Sequence, residues 1–559
     1  MRCSLPLLQL LSAFLVFGLN LATQPDYDVV VVGGGISGMT AAYELRKQKP
    51  NIRLVVLEAG DRVGGRAWSA HMRTAGGDNE RFDLGGLWIH ETQKAIVDIL
   101  KELSIETDPQ RIQGARLVRL HPNTRPSLNF SNELEFTDAQ RSGFRTIENE
   151  LGVFDQNGNI VNRLAATRWN QTSVMRALRE LDVPESTVDA VASLVGSAFD
   201  TSIEDLSFLY FLLVVKGAGG RLDVMLAESA EGLRIRDGAQ TLAERLSQRS
   251  DVRLRQHVTR ISVDQSPNGN GVVTVTTLQG MHCTGSFVIV ALPPVVASEI
   301  SFVPLLSSAK QTLLRTLRPR GSYYKFIATY PTAFWQEQNL AGNVLALDST
   351  ENAAISYLQT FDATSSRGAA AIDGYVLSNG ELPIASRQTT ILETLSSLLG
   401  NRASQPIDYR DTYWTPITPL NRGGVATLGI GEMPTDFAAL IRGTTHQRIA
   451  WAGTETATEW SGYMSGAVQA GHRAAREVIF GMDRRNDTII GHQSLEFLGL
   501  GGKKNYFANN ETLIQNGLLG NHTRTFRQTV IEVSSLVSSA VGFLLRFVNS
   551  FGNAGHYGN

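Results

Sequence analysis

The chain has 559 residues, 42% of them hydrophobic, so it can bury a large core, and its length favours more than one domain. Its 51 Lys and Arg residues nearly balance 53 Asp and Glu residues, which gives a formal net charge of −2 at pH 7. No basic tract stands out in the sequence, and we therefore expect no nucleic acid partner.

The N-terminus has the pattern of a secretory signal. Met1 and Arg2 precede an apolar run over residues 5–22, which predicts a signal peptide at 1–24. An uncleaved signal anchor stays open, because the run approaches membrane-spanning length and Asn20 weakens the cleavage pattern. N-glycosylation sequons agree with a secreted protein or one in the secretory-pathway lumen, and they lie at Asn129, Asn170, Asn486, Asn510 and Asn521.

Residues 28–60 have the pattern of a strand, a helix and a second strand. An apolar run at 29–32 leads into the glycine-rich sequence GGGISG at 33–38, and an apolar-periodic helix follows. A second apolar run at 52–57 then stops at Glu58. A G-x-G-x-x-G motif between two predicted strands, with an acidic residue about twenty positions further on, is a specific signal of dinucleotide binding.

Each residue of this motif has a mechanical reason. Gly33 allows a sharp turn off the strand, Gly35 lets backbone N–H groups approach a pyrophosphate, and Gly38 lets the helix pack close to the sheet. Glu58 stands where a carboxylate accepts hydrogen bonds from a ribose diol. The neighbouring residues assigned to the same cofactor site are Ser37 and Ala59.

Two later segments extend this cofactor site. The chain reads AGDRVGGR at 59–66 and DLGGLW at 83–88, where glycine pairs let the backbone pass close to a flat ring system or a diphosphate. Arg66 is available for phosphate charge. Near the other end stands WAGTETATEWSGYMSGA at 451–467. The residues assigned from these segments are Arg66, Gly85, Gly86, Leu87, Trp88, Gly453 and Glu455.

Together these motifs make the chain resemble the flavin-containing amine oxidase family, monoamine oxidases most of all, over roughly residues 26–482. The resemblance implies FAD as the cofactor and places Val258 beside its adenine. It also implies an α/β (mixed α+β) fold, in which a Rossmann-like FAD-binding domain is built from discontinuous segments and carries an inserted substrate domain. The expected segments are 26–105, 232–300 and 419–482 for FAD binding, 106–231 and 301–418 for the substrate domain, and 483–559 for a C-terminal tail.

Lys325 is the first candidate catalytic residue. It interrupts the apolar strand sequence YYKFIATY at 323–330, where an unpaired buried charge would be costly. The resemblance implies that this lysine holds a water against flavin N5 and assists reoxidation by dioxygen. The alternative is a strand lysine whose side chain reaches solvent.

Tyr463 is the second candidate. In monoamine oxidases the matching tyrosine forms one wall of an aromatic cage that guides the amine, so Tyr463 is assigned to catalysis, to the flavin and to the substrate. The chain departs from the pattern at Val425, which replaces the cysteine that bonds flavin, and at Ala426, which replaces the second tyrosine. FAD is therefore expected to bind noncovalently, and Trp414 is the candidate for another aromatic surface.

Other reactive residues give weaker signals. His90 falls near the expected cavity entrance and is a candidate substrate residue, with a surface loop as the alternative. Cys283 begins a predicted buried strand, which favours a small core residue over a nucleophile. No HExxH or CxxC motif occurs, so no metal site is predicted.

The tail at 483–559 leaves the family pattern. Apolar residues recur at helical spacing over 533–548, but serines interrupt them and Glu532 and Arg546 bound fewer than the ~20 apolar residues of a membrane span. An amphipathic helix with possible peripheral membrane contact is expected there. The sequence leaves the oligomeric state open.

The resemblance implies an enzyme that oxidises an amine to an imine. The imine hydrolyses to a carbonyl product and ammonia or an amine, and dioxygen is reduced to hydrogen peroxide. A secreted L-amino-acid oxidase and a polyamine oxidase stay open as alternatives, as does a nonenzymatic binding scaffold stabilised by FAD.

Overall fold

The computed structural model describes residues 24–497, apart from 120–125, 130–135, 228–231, 266–270, 349, 351–352, 379, 417–419 and 421. The chain divides into two compact units, Met1–Gly481 and Met482–Asn559. Nearly all of the expected signal peptide and the expected tail helix lie outside the described residues. In the part of the chain that is described, no helix combines the length and apolar character needed to cross a membrane.

The elements alternate between strand and helix along much of the first unit. The strands are β1 Tyr27–Val32, β2 Leu54–Leu57, β3 Ser69–Arg73, β4 Asn79–Asp83, β5 Thr107–Pro109, β6 Ala115–Arg119, β7 Ser127–Asn129, β8 Leu233–Ile235, β9 Asp251–Arg253, β10 Val258–Val263, β11 Val273–Thr277, β12 His282–Val290, β13 Ser301–Val303, β14 Arg318–Pro319, β15 Tyr323–Thr329, β16 Leu340–Leu347, β17 Ile355–Asp362, β18 Ala371–Ser378, β19 Asp408–Trp414, β20 Ala426–Thr427 and β21 Ile449–Trp451.

The α-helices are α1 Ile36–Gln48, α2 Lys94–Glu102, α3 Asp138–Glu148, α4 Arg163–Asn170, α5 Val174–Glu180, α6 Glu185–Phe199, α7 Phe208–Gly217, α8 Leu222–Ala227, α9 Gln240–Ser247, α10 Pro294–Ala297, α11 Ser308–Thr316, α12 Phe334–Glu337, α13 Ile384–Leu399, α14 Phe437–Arg442 and α15 Met464–Phe497. Short 3₁₀ helices occupy Asn149–Val153, Asn401–Ser404 and Thr454–Thr456.

The first sheet contains the predicted strand–helix–strand unit. Its strands run in the order β13-β10-β11-β12-β1-β2-β9, and β21 also pairs with β12. β1 lies parallel to both β2 and β12, and Val29 to Val32 are almost fully buried, as expected for a strand covered on both faces. β13 belongs to this sheet although it falls within 301–418, so the sheet draws strands from widely separated parts of the chain.

The second sheet runs in the order β19-β15-β18-β17-β16-β6-β7. Its pairs are antiparallel except for β16 with β6, which are parallel. β15 lies between β18 and β19, so Lys325 is opposite Tyr375 on one side and Thr412 on the other. This register places the lysine in the interior of the sheet.

Helices α3 to α8 form a helical layer with its own hydrophobic core. Trp169, Phe208 and Phe211 are buried there, and Trp169 and Phe208 meet edge to face with ring centroids 4.9 Å apart. The Ser207 hydroxyl accepts a hydrogen bond from the Tyr210 N–H and so caps the start of α7. The ends of α6 and α8 supply part of the wall of the candidate site.

Candidate active site

A cavity of about 430 Å³ lies at the carboxyl ends of β1 and β2, where Val32 and Leu57 form part of its lining. Most of the residues assigned from the sequence line it, namely Gly33, Gly35, Ser37, Glu58, Ala59, Arg66, Gly85, Gly86, Leu87, Trp88, His90, Val258, Trp414, Gly453 and Tyr463. Lys325, Gly38 and Glu455 do not line the cavity, but each contacts a residue that does. Segments far apart in sequence therefore meet around one space.

The glycine motif forms a cradle at the start of α1. A Cβ at Gly38 would lie 2.0 Å from the Gly33 carbonyl oxygen, and one at Gly33 would lie 2.5 Å from the Ala291 carbonyl oxygen. Gly33 also has a φ of +105°, which only glycine adopts readily. A Cβ at Gly35 would meet no protein atom within 4 Å. The open side of Gly35 faces the cavity at a helix N-terminus, and the residues present therefore fit the diphosphate of a dinucleotide.

Glu58 follows β2 and is held by backbone donors. Its Oε2 accepts a hydrogen bond from the Gly34 N–H at 2.6 Å, and its Oε1 accepts one from the Gly60 N–H at 2.7 Å. A carboxylate has further lone pairs, so these bonds orient Glu58 while leaving it able to accept a ribose hydroxyl. This geometry agrees with the role expected for Glu58.

The charge of Arg66 was expected to be available for phosphate, but the guanidinium is paired within the protein. Its Nη1 donates to Glu455 Oε1 at 2.7 Å and to the Gly424 carbonyl oxygen at 2.9 Å. The Glu455 side chain is only 1% exposed, so the guanidinium compensates a buried carboxylate. Arg66 therefore fixes the segment around Gly424 on the cavity wall.

The backbone at 84–86 is held from the second sheet. Lys325 Nζ donates to the Gly85 carbonyl oxygen at 3.0 Å, and Trp414 Nε1 donates to the Leu84 carbonyl oxygen at 2.9 Å. A Cβ at Gly85 would lie 2.1 Å from the Arg66 carbonyl oxygen, which explains the glycine. Lys325 is fully buried, so the alternative of a strand lysine that reaches solvent is wrong.

The Lys325 ammonium is compensated inside the sheet. Nζ donates to the Tyr375 hydroxyl at 3.1 Å and lies 3.3 Å from Asp373 Oδ2. Burial favours the neutral amine, but Tyr375 and then Asp373 outweigh it and raise the pKa of Lys325 above its usual value. The lysine therefore stays charged next to the cavity. Tyr375, which accepts its hydrogen bond, lines the cavity.

Tyr463 contributes an aromatic wall of the cavity. Its ring meets Trp460 edge to face at 5.3 Å, and its carbonyl oxygen accepts a hydrogen bond from the Thr454 hydroxyl. Val425 also lines the cavity, whereas Ala426 is 2% exposed and packs in the helical core. The wall that monoamine oxidases build from a second tyrosine is therefore not supplied by residue 426.

Tyr323 is a cavity residue that the sequence reasoning missed. Its ring stacks on that of Trp414, with centroids 6.5 Å apart and planes at 21°, and lies 5.7 Å from the ring of Tyr375. All three residues line the cavity. The signal was present, because Tyr323 precedes Lys325 by two positions and strand residues two apart share a face. Tyr323 and Trp414 together give the cavity the second aromatic surface.

Asp200 was also missed. It follows α6 in the left-handed conformation, with a φ of 55°, and is 5% exposed while lining the cavity. Its Oδ2 has no hydrogen-bond partner among the described residues. Burial raises the pKa of Asp200 to about 7. A single aspartate after a helix gives no sequence signal for this environment.

The remaining candidates are placed as follows. His90 lines the cavity and its Nδ1 lies 2.8 Å from the Thr92 hydroxyl. Cys283 lies in β12, 2% exposed, and burial raises the pKa of its thiol to about 11, so it is not an activated nucleophile. Within the described ranges, no group of three or more His, Cys, Asp or Glu side chains is arranged to hold a metal ion.

Comparison with known proteins agrees with this geometry. Residues 36–479 match the family described as flavin containing amine oxidoreductase. Amine oxidase [flavin-containing] B of Sus scrofa is 30% identical over 469 residues, which cover 82% of this chain and 87% of that protein.

Solved structures show the same fold. Cyclohexylamine oxidase from Brevibacterium oxydans IH-35A has a TM-score of 0.70 at 25% identity and covers 82% of this chain and 100% of its own. A putrescine oxidase structure, at 23% identity, has a TM-score of 0.70 and covers 81% of this chain and 99% of its own.

The fold and the cavity therefore define an FAD-dependent oxidoreductase with a mixed α/β, Rossmann-like cofactor-binding fold. The chain belongs to the flavin-containing amine oxidase family, and it is an enzyme of that class. The family and the fold expected from the sequence are both confirmed.

The open side of Gly35 gives a direct test of the cofactor cradle. We expect Gly35→Ala to fold normally, because its Cβ meets no protein atom, but to weaken FAD binding by about tenfold or more, since the methyl group occupies the approach to the diphosphate. The dissociation constant is measured by fluorescence titration of the FAD-free protein. Gly76→Ala is the control, because its Cβ also meets no atom and Gly76 does not line the cavity. Equal FAD affinity in both variants would contradict the cradle.

The FAD is expected to be released on denaturation. Val425 offers no thiol to the flavin, and Cys283 is buried in β12 of the first sheet. Acid precipitation of the purified holoenzyme should leave the yellow colour in the supernatant. Flavin that stays attached to peptide in the pellet would show that the linkage is covalent.

Proposed function

We propose that the protein oxidises an amine to an imine, which water hydrolyses to a carbonyl compound and ammonia, while dioxygen is reduced to hydrogen peroxide. The observation that carries this proposal is the shared cavity, in which the glycine cradle and aromatic side chains from the second sheet line one space. The names of the relatives, amine oxidase and cyclohexylamine oxidase, support an amine as the substrate.

FAD, when bound, supplies the electron-deficient ring that accepts two electrons from the amine. The chain's own residues bind and orient the amine. Tyr463, Tyr323 and Trp414 line the cavity with aromatic rings, which exclude water from the space that they border. A neutral amine is favoured beside these aromatic rings, because burying an uncompensated ammonium is costly.

Lys325 is proposed to hold a positive charge beside the reacting centre. Its ammonium donates hydrogen bonds to the Gly85 carbonyl oxygen and the Tyr375 hydroxyl, and both of these residues line the cavity. A fixed cation at this place stabilises negative charge that develops when dioxygen is reduced, and it requires no rearrangement at the moment of reaction. Tyr375, and after it Asp373, favour the charged form of Lys325.

A simple amine fits the cavity better than an L-amino acid. Recognition of an α-carboxylate usually uses an arginine with a free face. Arg66 and Arg422 line the cavity, but Arg66 pairs with Glu455 at 2.7 Å and Arg422 pairs with Glu299 at 2.8 Å. Both charges are already compensated, which supports an amine substrate over an amino acid.

We also propose that the protein passes through the secretory pathway, which the signal pattern at 1–24 supports, and that the tail at 483–559 makes a peripheral membrane contact.

The sequon at Asn170 is not proposed to carry a glycan. Its Nδ2 donates to the Met433 carbonyl oxygen at 2.9 Å, and its Oδ1 accepts from the Met433 N–H at 3.2 Å. The side chain is thus engaged in folding contacts.

Substitution of Lys325 tests its role in reoxidation. Lys325→Met keeps the length of the side chain and removes the charge, so the rate constant for flavin reoxidation by dioxygen should fall by ~10²-fold or more, while amine-driven reduction changes much less. Stopped-flow measurement of the two half-reactions separates these effects. An unchanged rate constant with dioxygen would contradict the proposal.

The buried pair complicates that experiment, and a second variant resolves it. Loss of Lys325 leaves Asp373 as an uncompensated buried carboxylate, which destabilises the fold by about 3–5 kcal/mol. The double variant Lys325→Met with Asp373→Asn removes that charge, and should be as slow with dioxygen as Lys325→Met. Asp373→Asn alone is the matched control and should retain most of the rate, because Gly85 and Tyr375 still hold the ammonium.

Tyr463 is expected to shape amine oxidation as well as the core. Tyr463→Phe keeps the ring and should be mild, whereas Tyr463→Ala removes the wall and should slow flavin reduction by ~10-fold or more. Truncation of a partly buried aromatic also destabilises the protein, by up to about 3–5 kcal/mol. Rates are therefore compared anaerobically per bound flavin in folded protein. If Tyr463→Ala reduces flavin as fast as the parent at every amine concentration, the ring is only structural.

A further inference from the structure

Asp200 is a buried carboxylate in the wall of the cavity. It is contributed by the end of α6, in the helical layer, and its Cγ would lie 3.2 Å from a Cβ placed at Gly321. That glycine precedes β15, so the carboxyl group lies between the helical layer and the second sheet. A larger residue at 321 would also collide with the Asp200 carbonyl oxygen at 1.9 Å, and the site is therefore closely packed around the aspartate.

This carboxylate has no compensating charge among the described residues. Its Oδ2 accepts no hydrogen bond there, and burial alone accounts for the raised pKa of the group, with no contribution from a neighbouring cation. By contrast, the buried Asp373 has Lys325, and Glu455 has Arg66. A lone buried carboxylate is costly to a fold. In a cavity wall, the missing partner can be supplied by a ligand.

We propose that Asp200 binds the second ammonium group of an α,ω-diamine whose other end is oxidised. This inference rests on the proposed amine oxidation and specifies its substrate class. The helical layer that contributes Asp200 also lines the cavity with the apolar residues Leu194, Ala198 and Met225, which suit the hydrocarbon chain between the two nitrogens. Asp200 would receive the distal charge in a low-dielectric environment, where such a pair is strong.

The reacting nitrogen is a poorer partner for Asp200. Oxidation requires the neutral amine, and a carboxylate beside that nitrogen would stabilise its ammonium form instead. A carboxylate is also a much weaker base than an alkylamine, so Asp200 would not remove the proton from the ammonium form of the reacting nitrogen. A cation at the far end of the substrate, which stays protonated throughout, gains from the aspartate without opposing the reaction.

The test compares substrates that differ only in the second nitrogen. Putrescine and n-butylamine, and cadaverine and n-pentylamine, are used as matched pairs. For Asp200→Asn, the rate constant of anaerobic flavin reduction divided by the dissociation constant should fall ~10²-fold for the diamines, the effect expected of a lost charge-assisted hydrogen bond. The same ratio for the monoamines should change by less than ~3-fold.

The substitution itself is well matched to the site. Asparagine adopts the left-handed conformation of residue 200 readily and has nearly the same shape as aspartate. The control variant is Asp182→Asn, which makes the same change at an exposed residue with a φ of 51° that does not line the cavity. Asp182→Asn should behave as the parent with every amine.

Binding is measured separately from turnover, by calorimetric titration of each amine into protein whose flavin has been reduced with dithionite. The parent should bind putrescine more tightly than n-butylamine, and Asp200→Asn should remove the difference. If the preference for diamines appears in binding but no amine reduces the flavin, the subsite stands and the proposed oxidation fails. If amines reduce the flavin but Asp200→Asn affects both members of each pair equally, or neither, the subsite is overturned while the oxidation stands.

Discussion

The position of the backbone at 84–86 controls the shape of the cavity. Lys325 on β15 and Trp414 on β19 donate hydrogen bonds to the carbonyl oxygens of Gly85 and Leu84, so neighbouring strands of the second sheet hold a segment that lines the cofactor cavity. The segment also lies against the backbone at 66–68, where a Cβ at Gly85 would meet the Arg66 carbonyl oxygen at 2.1 Å. The interaction joins the sheet that carries the aromatic wall to the part of the chain that carries the cofactor motifs.

Buried charge is the second constraint, and Lys325 and Asp200 satisfy it in different ways. Lys325 is compensated by Tyr375 and Asp373 inside the sheet, whereas the described residues offer Asp200 no cation. A buried charge that is paired within the protein contributes to the fold. A buried charge without such a partner is costly unless a ligand pairs with it. The charge of Lys325 is thus fixed by the protein, while under the diamine proposal the charge of Asp200 is paired by the substrate.

Much of the cofactor site could be predicted from the sequence, because its signals are local. Gly33, Gly35 and Gly38 occur at the spacing of a strand-to-helix turn, and Glu58 follows the next strand directly. Lys325 was visible as one charge in an apolar strand. The immediate sequence neighbours of these residues are enough to predict where each of them lies.

The rest depends on contacts between distant segments. The partner of Arg66 is Glu455, 389 positions away, and no local pattern pairs the two residues. Asp200 is ordinary in sequence and becomes distinctive only when burial removes water from it. Tyr323 could have been found from strand alternation, but its stacking on Trp414 depends on the pairing of β15 with β19.

The central claim is that this cavity oxidises an amine with bound FAD. It is tested most directly by anaerobic titration of the FAD-loaded protein with n-alkylamines, diamines and L-amino acids in turn, while the absorbance of oxidised flavin is followed. Amines should bleach the flavin, and L-amino acids should not. Bleaching by L-amino acids alone, or by none of these compounds, would contradict it.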